Sequence, residues 1–215
     1  MADAARQYTP SEAAALSGLP IKAVHNAIDK RIVQGQARPS ARRRQRLFST
    51  QDILRLKLWY EVGAVLSQER RQRLFAEIEQ RPTAKRVKAD ALVIVDVEEA
   101  RKRIARLARD LEAAEAAVTR SNAVMGGEPV FKGTRIPVRL VAAMLDQGAS
   151  GAEILDGYPK LVPRHLELAR IWAAAHPRRG RPKTLAHRGV KVRSQSRTSF
   201  KPDPAPARGS HRPSS

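Results

Sequence analysis

Between Val97 and Val118 the apolar positions Val97, Ala100, Ile104, Leu107, Leu111, Ala114 and Val118 recur at alternating spacings of three and four. That 3.5-residue period is the seam of a coiled coil, and it predicts a helix running to about Thr119. Asp96 with Glu98 and Glu99 supplies its cap and acidic first turn. Ile104, Leu107, Leu111 and Val118 are the candidate dimerisation residues, and a homodimer is expected. Just before the cap, residues 91–95 (Ala-Leu-Val-Ile-Val) read as a strand that pairs across the same dimer.

Earlier in the chain the pattern is also helical. Thr9-Pro10-Ser11-Glu12 is a helix start with a capping box and Pro at the first position, and Ser17-Gly18 ends that helix. A second helix is predicted from about Leu19 to Lys30, with Ile21, Val24 and Ile28 inward and Lys22, His25, Asn26, Asp29 and Lys30 outward. Two helices joined by a short glycine turn make a helix-turn-helix. Residues 34–48 are polar and arginine-rich, a hairpin that reads as a wing, with Arg42, Arg43, Arg44 and Arg46 placed to meet phosphates or the minor groove. Further helices are predicted at about 51–62 and at 68–80, the last capped by Ser67 and stopped before Pro82.

The segment resembles the MerR-type winged helix-turn-helix, through Tyr8-Thr9-Pro10-Ser11-Glu12-Ala13-Ala14, Ser17-Gly18-Leu19-Pro20, Arg46-Leu47-Phe48-Ser49 and Asp52-Ile53-Leu54-Arg55-Leu56. The resemblance implies DNA binding by the second helix and the wing. Asn26 then suits adenine and Lys22 suits guanine or phosphate, with His25 and Lys30 beside them. The absence of Cys leaves cysteine-based metal sensing without ligands.

The helical habit breaks at Gly126–Val138. Two short apolar runs flank Lys132-Gly133-Thr134 and predict a β-hairpin, with Arg135 bonding across it or reaching Glu128. Short helices follow at about 138–147, 151–156 and 163–175. Gly127-Glu128-Pro129-Val130-Phe131-Lys132-Gly133-Thr134-Arg135-Ile136-Pro137-Val138, with Tyr158-Pro159-Lys160-Leu161 and Ala169-Arg170, resembles the domain-of-unknown-function family numbered 433. Its members are similar to VapB-type antitoxins, typically encoded beside a PIN-like ribonuclease toxin. The chain departs from the family's usual pattern at Val162-Pro163, which weakens one helix cap.

Composition sharpens the division. The 215 residues carry a net charge of +20, distributed as +9 over 1–90, +1 over 91–176 and +10 over 177–215. Two basic blocks around a neutral middle point to a polyanionic partner, and operator DNA is the expected one. The basic tail from Pro177 is rich in Pro, Ser and Arg and is predicted to be disordered. Its Arg179-Gly180-Arg181-Pro182 resembles an AT-hook core. The antitoxin resemblance gives Arg178, Arg179 and Arg181 a different role, entering a toxin's acidic metal site, with Arg135 as a further toxin contact. DNA, toxin and solvent all remain readings of this tail.

The expected fold class is mainly α. It comprises a winged helix-turn-helix over 1–81, a strand–helix connector over 82–124, a small helix-turn-helix-like domain opened by a β-hairpin over 125–176, and a disordered tail over 177–215. No catalytic residue, metal site or cofactor is expected. The five histidines form no metal-ligand spacing, and neither a phosphate loop nor a nucleophile motif occurs. Neither a signal peptide nor an apolar run of membrane-spanning length is present, so a cytoplasmic location is expected. The function expected is that of an antitoxin that neutralises a PIN-like ribonuclease and represses its own promoter. The alternative is a stand-alone MerR-like regulator or chromosome-associated protein with no toxin, and a protein adaptor that never touches DNA is the third class.

Overall fold

Thr9 opens the first helix of the computed structural model, which describes residues 6–38, 45–63, 65–91 and 93–178. Helix α1 (Pro10–Ser17) carries the expected capping box: the Glu12 carboxylate accepts from the Thr9 N–H at 2.6 Å, and the Thr9 hydroxyl accepts from the Glu12 N–H at 3.4 Å. Gly18, at φ 75°, closes it in the left-handed conformation that glycine adopts without strain. Helix α2 (Ile21–Asp29) begins two residues later than the pattern predicted, because Pro20, which has no N–H to lose, takes the cap position. Val24 and Ala27 are buried, whereas Ile21, predicted inward, is 38% exposed. A side chain at the first helical position leans back beyond the helix start and so leaves the core-facing stripe.

Strands β1 (Gln36–Arg38) and β2 (Gln45–Leu47) pair antiparallel, with Ala37 opposite Arg46. Phe48 then returns to Tyr8 through two backbone hydrogen bonds of 2.9 and 2.8 Å, so the hairpin's exit is fixed to the entry of α1. Burial there pushes the Tyr8 phenol above its ordinary pKa. Helix α3 (Thr50–Glu61) starts from a Ser49–Asp52 capping box, and α4 (Gln68–Gln80) from Ser67.

The connector differs from its expected form. The residues ahead of the predicted strand contain β3 (Arg86–Lys88), which pairs with β4 (Ile94–Asp96), Val87 facing Val95. The strand expected to pair across a dimer therefore finds its partner within the chain. Helix α5 (Val97–Ala117) follows directly, and its successor β5 (Val118–Thr119) pairs with β6 (Val130–Phe131).

After β6 the Lys132–Thr134 turn forms as expected, with Gly133 at φ 73°. The Thr134 hydroxyl donates to the Phe131 carbonyl at 2.9 Å and accepts from the Ile136 N–H at 3.0 Å. The second arm of the predicted hairpin is no strand, only a bridge between Val130 and Pro137, since proline offers no N–H to extend a ladder. Helices α6 (Val138–Asp146), α7 (Gly151–Gly157) and α8 (Pro163–Ala175) complete eight α-helices among the described residues. At the start of α8 the His165 Nδ1 accepts from the Val162 N–H at 3.1 Å and replaces part of the missing cap.

Helix α5 packs chiefly on α8, and also on α3 and α1, while α1 itself packs on α8. The periodic seam is therefore covered from inside: Ile104 and Leu111 are fully buried, and Leu107 and Val118 are half-buried. Ile104 and Leu111, two of the four residues read as dimerising, are therefore spent inside the chain, whereas Leu107 and Val118 keep part of their surface exposed. Residues as far as Pro177 form one compact unit, whose apolar core runs from Tyr8 to Ala175. No described helix is long and apolar enough to cross a membrane.

Three surface acids hold helix starts or flanks. Asp96 is lowered by accepting from the Glu99 N–H, Glu98 by Lys102, and Glu153 by the Ser150 N–H. A carboxylate with a depressed folded-state pKa adds stability above its unfolded pKa and loses it as pH falls through the lowered value. Thermal unfolding followed from pH 6 downward is expected to show a fall in Tm beginning below about pH 4.5, flattened in Asp96→Asn and Glu153→Gln. An unchanged profile in the double variant would remove these groups from the acid response.

Candidate nucleic-acid interface

The outer face of α2 carries Lys22, His25, Asn26, Asp29 and Lys30, all exposed, as the sequence pattern expects. Nine helical residues span about 13 Å, and a helix diameter of roughly 10–12 Å matches a major groove about 12 Å wide. The face has two Lys and one Asp, so its charge is net positive.

Beside it runs an open groove of about 590 Å³ between the end of α2 and the hairpin, lined by Ile28, Asp29, Arg31, Gln34, Ala37 and Arg46. Arg46 is exposed on β2. Arg42, Arg43 and Arg44 lie outside the described residues, as do Arg179 and Arg181. Arg178 is described and exposed. Arg31 carries no signal in the sequence pattern, although it follows Lys30 directly. It holds φ 56°, a left-handed conformation uncommon for any residue but Gly, Asn and Asp.

Gly35 shapes the same groove. It sits at φ 60°, and an added Cβ would lie 2.9 Å from the Leu47 carbonyl oxygen and 3.1 Å from the Phe48 ring. Gly35→Ala is expected to cost about 1–3 kcal/mol, measured by urea unfolding. A loss below a few tenths would show that the hairpin absorbs the methyl group.

The C-terminal half offers a second basic feature. Arg135 is exposed and lines a groove of about 470 Å³ with Lys160, Thr119, Val124 and Thr134. It does not hold Glu128, as the sequence suggested. That partner is Arg139, at 3.3 Å, whose other amino group donates to the His176 carbonyl at 2.8 Å and whose guanidinium lies 4.9 Å from the Trp172 ring centre. Arg139 lies in the first turn of α6, and its side chain reaches back toward the strand, where the residue in the turn points outward.

Among the described residues one trio has metal-ligand proximity: Glu12, Glu115 and His176, with ligand atoms within 4.8 Å of one another. Arg6 occupies it. Its guanidinium donates to both Glu115 oxygens at 2.9 and 2.8 Å and lies 3.8 Å from Glu12 and 3.5 Å from Glu112. The trio is thus an ion-pair clamp joining the entry of α1, α5 and the end of α8.

Residues 118–173, from β5 into α8, match the family described as protein of unknown function (DUF433). A stretch of 72 residues is 46% identical to a protein from Sinorhizobium fredii described as "Uncharacterized protein y4eO". The stretch covers 34% of this chain and 33% of that one, so the chain spans about a third of the length of the curated relative it matches. The chain is also similar to the X-ray crystal structure of Rv2018 from Mycobacterium tuberculosis, at 15% identity and a TM-score of 0.30 over 75% of this chain and 95% of that one, a likeness too remote to bear on the fold.

Proposed function

We propose that the protein binds DNA through a MerR-like winged helix-turn-helix, α2 lying in the major groove and the β1–β2 hairpin along the backbone. In this reading it serves as the antitoxin of a type II toxin–antitoxin pair, repressing its own promoter and neutralising a PIN-like ribonuclease. The observation that carries the DNA half is the exposed row Lys22, His25, Asn26 and Lys30 on α2, next to a groove that Arg31 and Arg46 line between the end of α2 and the hairpin. Side chains of these types, on a helix with an adjoining strand pair, supply base-edge and phosphate contacts together. The toxin half is supported by the likeness of the Gly127–Val138 motif to antitoxin-type domains. Exposed Arg135 and Lys160 add two cations of the sign that an acidic nuclease centre attracts. Any homodimer would use a surface other than Ile104 and Leu111, which are spent in the core.

Two measurements test the two halves separately. A mobility shift of the chain on the DNA upstream of its own gene is expected at low salt and is expected to weaken steeply by about 200 mM. No shift even at low salt would leave the adaptor class. Co-expression with a neighbouring PIN-like open reading frame is expected to restore growth. A mobility shift without that rescue would leave the stand-alone regulator.

A further inference from the structure

Where the end of α2 meets α3 and the first turn of α4, a cavity of about 700 Å³ opens. Lys30, Arg31, Arg55 and Arg71 line it, with Trp59 and Tyr60, and no carboxylate belongs to the lining. Arg55 pairs with Glu79 outside. Among the described residues no acid pairs with Lys30, Arg31 or Arg71. Among the described residues Arg55 and Arg71 each also keep a buried Nε with no hydrogen-bond partner.

Such an arrangement is costly without an occupant. Like charges gathered at one cavity repel, and a buried donor without an acceptor forfeits its hydration. Arg31 adds the cost of its positive φ. The N-terminus of α4, a helix of 13 residues whose first turn contributes Gln68 and Arg71, directs its positive dipole end to the same place. Gly63 leaves room for the Arg71 guanidinium, since a Cβ there would stand 3.4 Å from its nitrogen and 3.0 Å from the Trp59 carbonyl. The indole is held rigidly, with Arg71 4.6 Å from its centre and Phe75 stacked at 5.7 Å. Tyr60 donates to the Ala23 carbonyl of α2 at 2.8 Å and fixes the opposite wall.

We propose that this cavity binds a small, multiply charged phosphate ester of nucleotide size. Its phosphates would be held by Arg31, Arg55 and Arg71, and its organic part would lie against Trp59 and Tyr60. The volume falls within the 300–1,000 Å³ of small-molecule sites and far exceeds a lone phosphate. Three cations with no acid partner among the described residues, joined by Arg55, which is already paired with Glu79, match a diphosphate or triphosphate better than a single phosphodiester charge. The cavity shares Lys30 and Arg31 with the proposed DNA-binding surface, so competition with duplex DNA separates the two readings.

The chain has two tryptophans, Trp59 and Trp172, so Trp172→Phe leaves Trp59 as the reporter. Titration of that protein with inorganic pyrophosphate and with adenosine 5′-diphosphate is expected to give a saturable change in Trp59 emission, tighter for the nucleotide. Calorimetry on the unsubstituted chain is expected to give the same affinities, which guards against a folding defect in the reporter. Arg71→Gln is expected to weaken both probes tenfold or more, and so is Arg31→Gly, where glycine takes the positive φ without strain. No saturable response to either probe would overturn the proposal, as would equal affinity in both variants. Competitive displacement of the probe by duplex DNA would also overturn it and assign the cavity to the DNA backbone.

Discussion

Lys22→Ala, Asn26→Ala and Lys30→Ala combined are expected to lower affinity for the upstream DNA by at least about a hundredfold, with the unfolding midpoint unchanged. The three side chains are exposed on one face of α2, opposite Val24 and Ala27, so their removal leaves no cavity. The single variants should separate by mechanism. Either lysine variant should bind all sequences more weakly alike and flatten the salt dependence by roughly 0.9 in log–log slope for each phosphate it no longer neutralises. Asn26→Ala should relax preference at one base position and leave the slope intact. Mobility shifts at several salt concentrations on cognate and scrambled duplexes measure both. A triple variant that still binds with its original affinity would remove α2 from the interface.

Leu111→Ala is expected to cost about 2–5 kcal/mol, a large part of the roughly 5–15 kcal/mol that holds such a protein together. Leu111 is fully buried on α5, whose partners are α1, α3 and α8 of the same chain. The loss should therefore be the same at low and high protein concentration. A coiled-coil dimer predicts the opposite, a midpoint that rises with concentration and a variant that folds as a monomer. Leu107→Ala, at a half-buried position of the same stripe, should cost visibly less. Urea unfolding at two concentrations a hundredfold apart distinguishes the cases, and a concentration-dependent midpoint would return the seam to an intermolecular role.

The contrast between Leu111 and Asn26 shows where local pattern suffices. Helix α2 exposes the face that its own period assigns, since burial on an amphipathic helix follows from residues three and four apart. The starts of α1, α3, α4 and α8 fall where caps and prolines place them, because a cap satisfies orphan N–H groups within four residues. The short strands were harder. Three residues at β3 give no period, and Arg86-Val87-Lys88 reads as linker until β4 supplies its hydrogen-bond partners. In the candidate interface Lys22, His25, Asn26, Lys30 and Arg46 were legible. Arg31 was not, because its backbone conformation and its place between two cavities depend on how the hairpin and α3 approach α2.

The sequence by itself determined the helices, their caps, the polar face of α2, the Lys132–Thr134 turn and the basic character of the chain's two ends. All of these are set by interactions within a few residues or by composition alone. Only the tertiary structure decided what covers the α5 stripe, which arginine holds Glu128, and that Arg6 fills the Glu12–Glu115–His176 cluster. A 3.5-residue apolar period states that a face must be buried and is silent about against what. The answer comes from residues as far apart as Arg6 and Glu115, a separation over which no local spacing carries information.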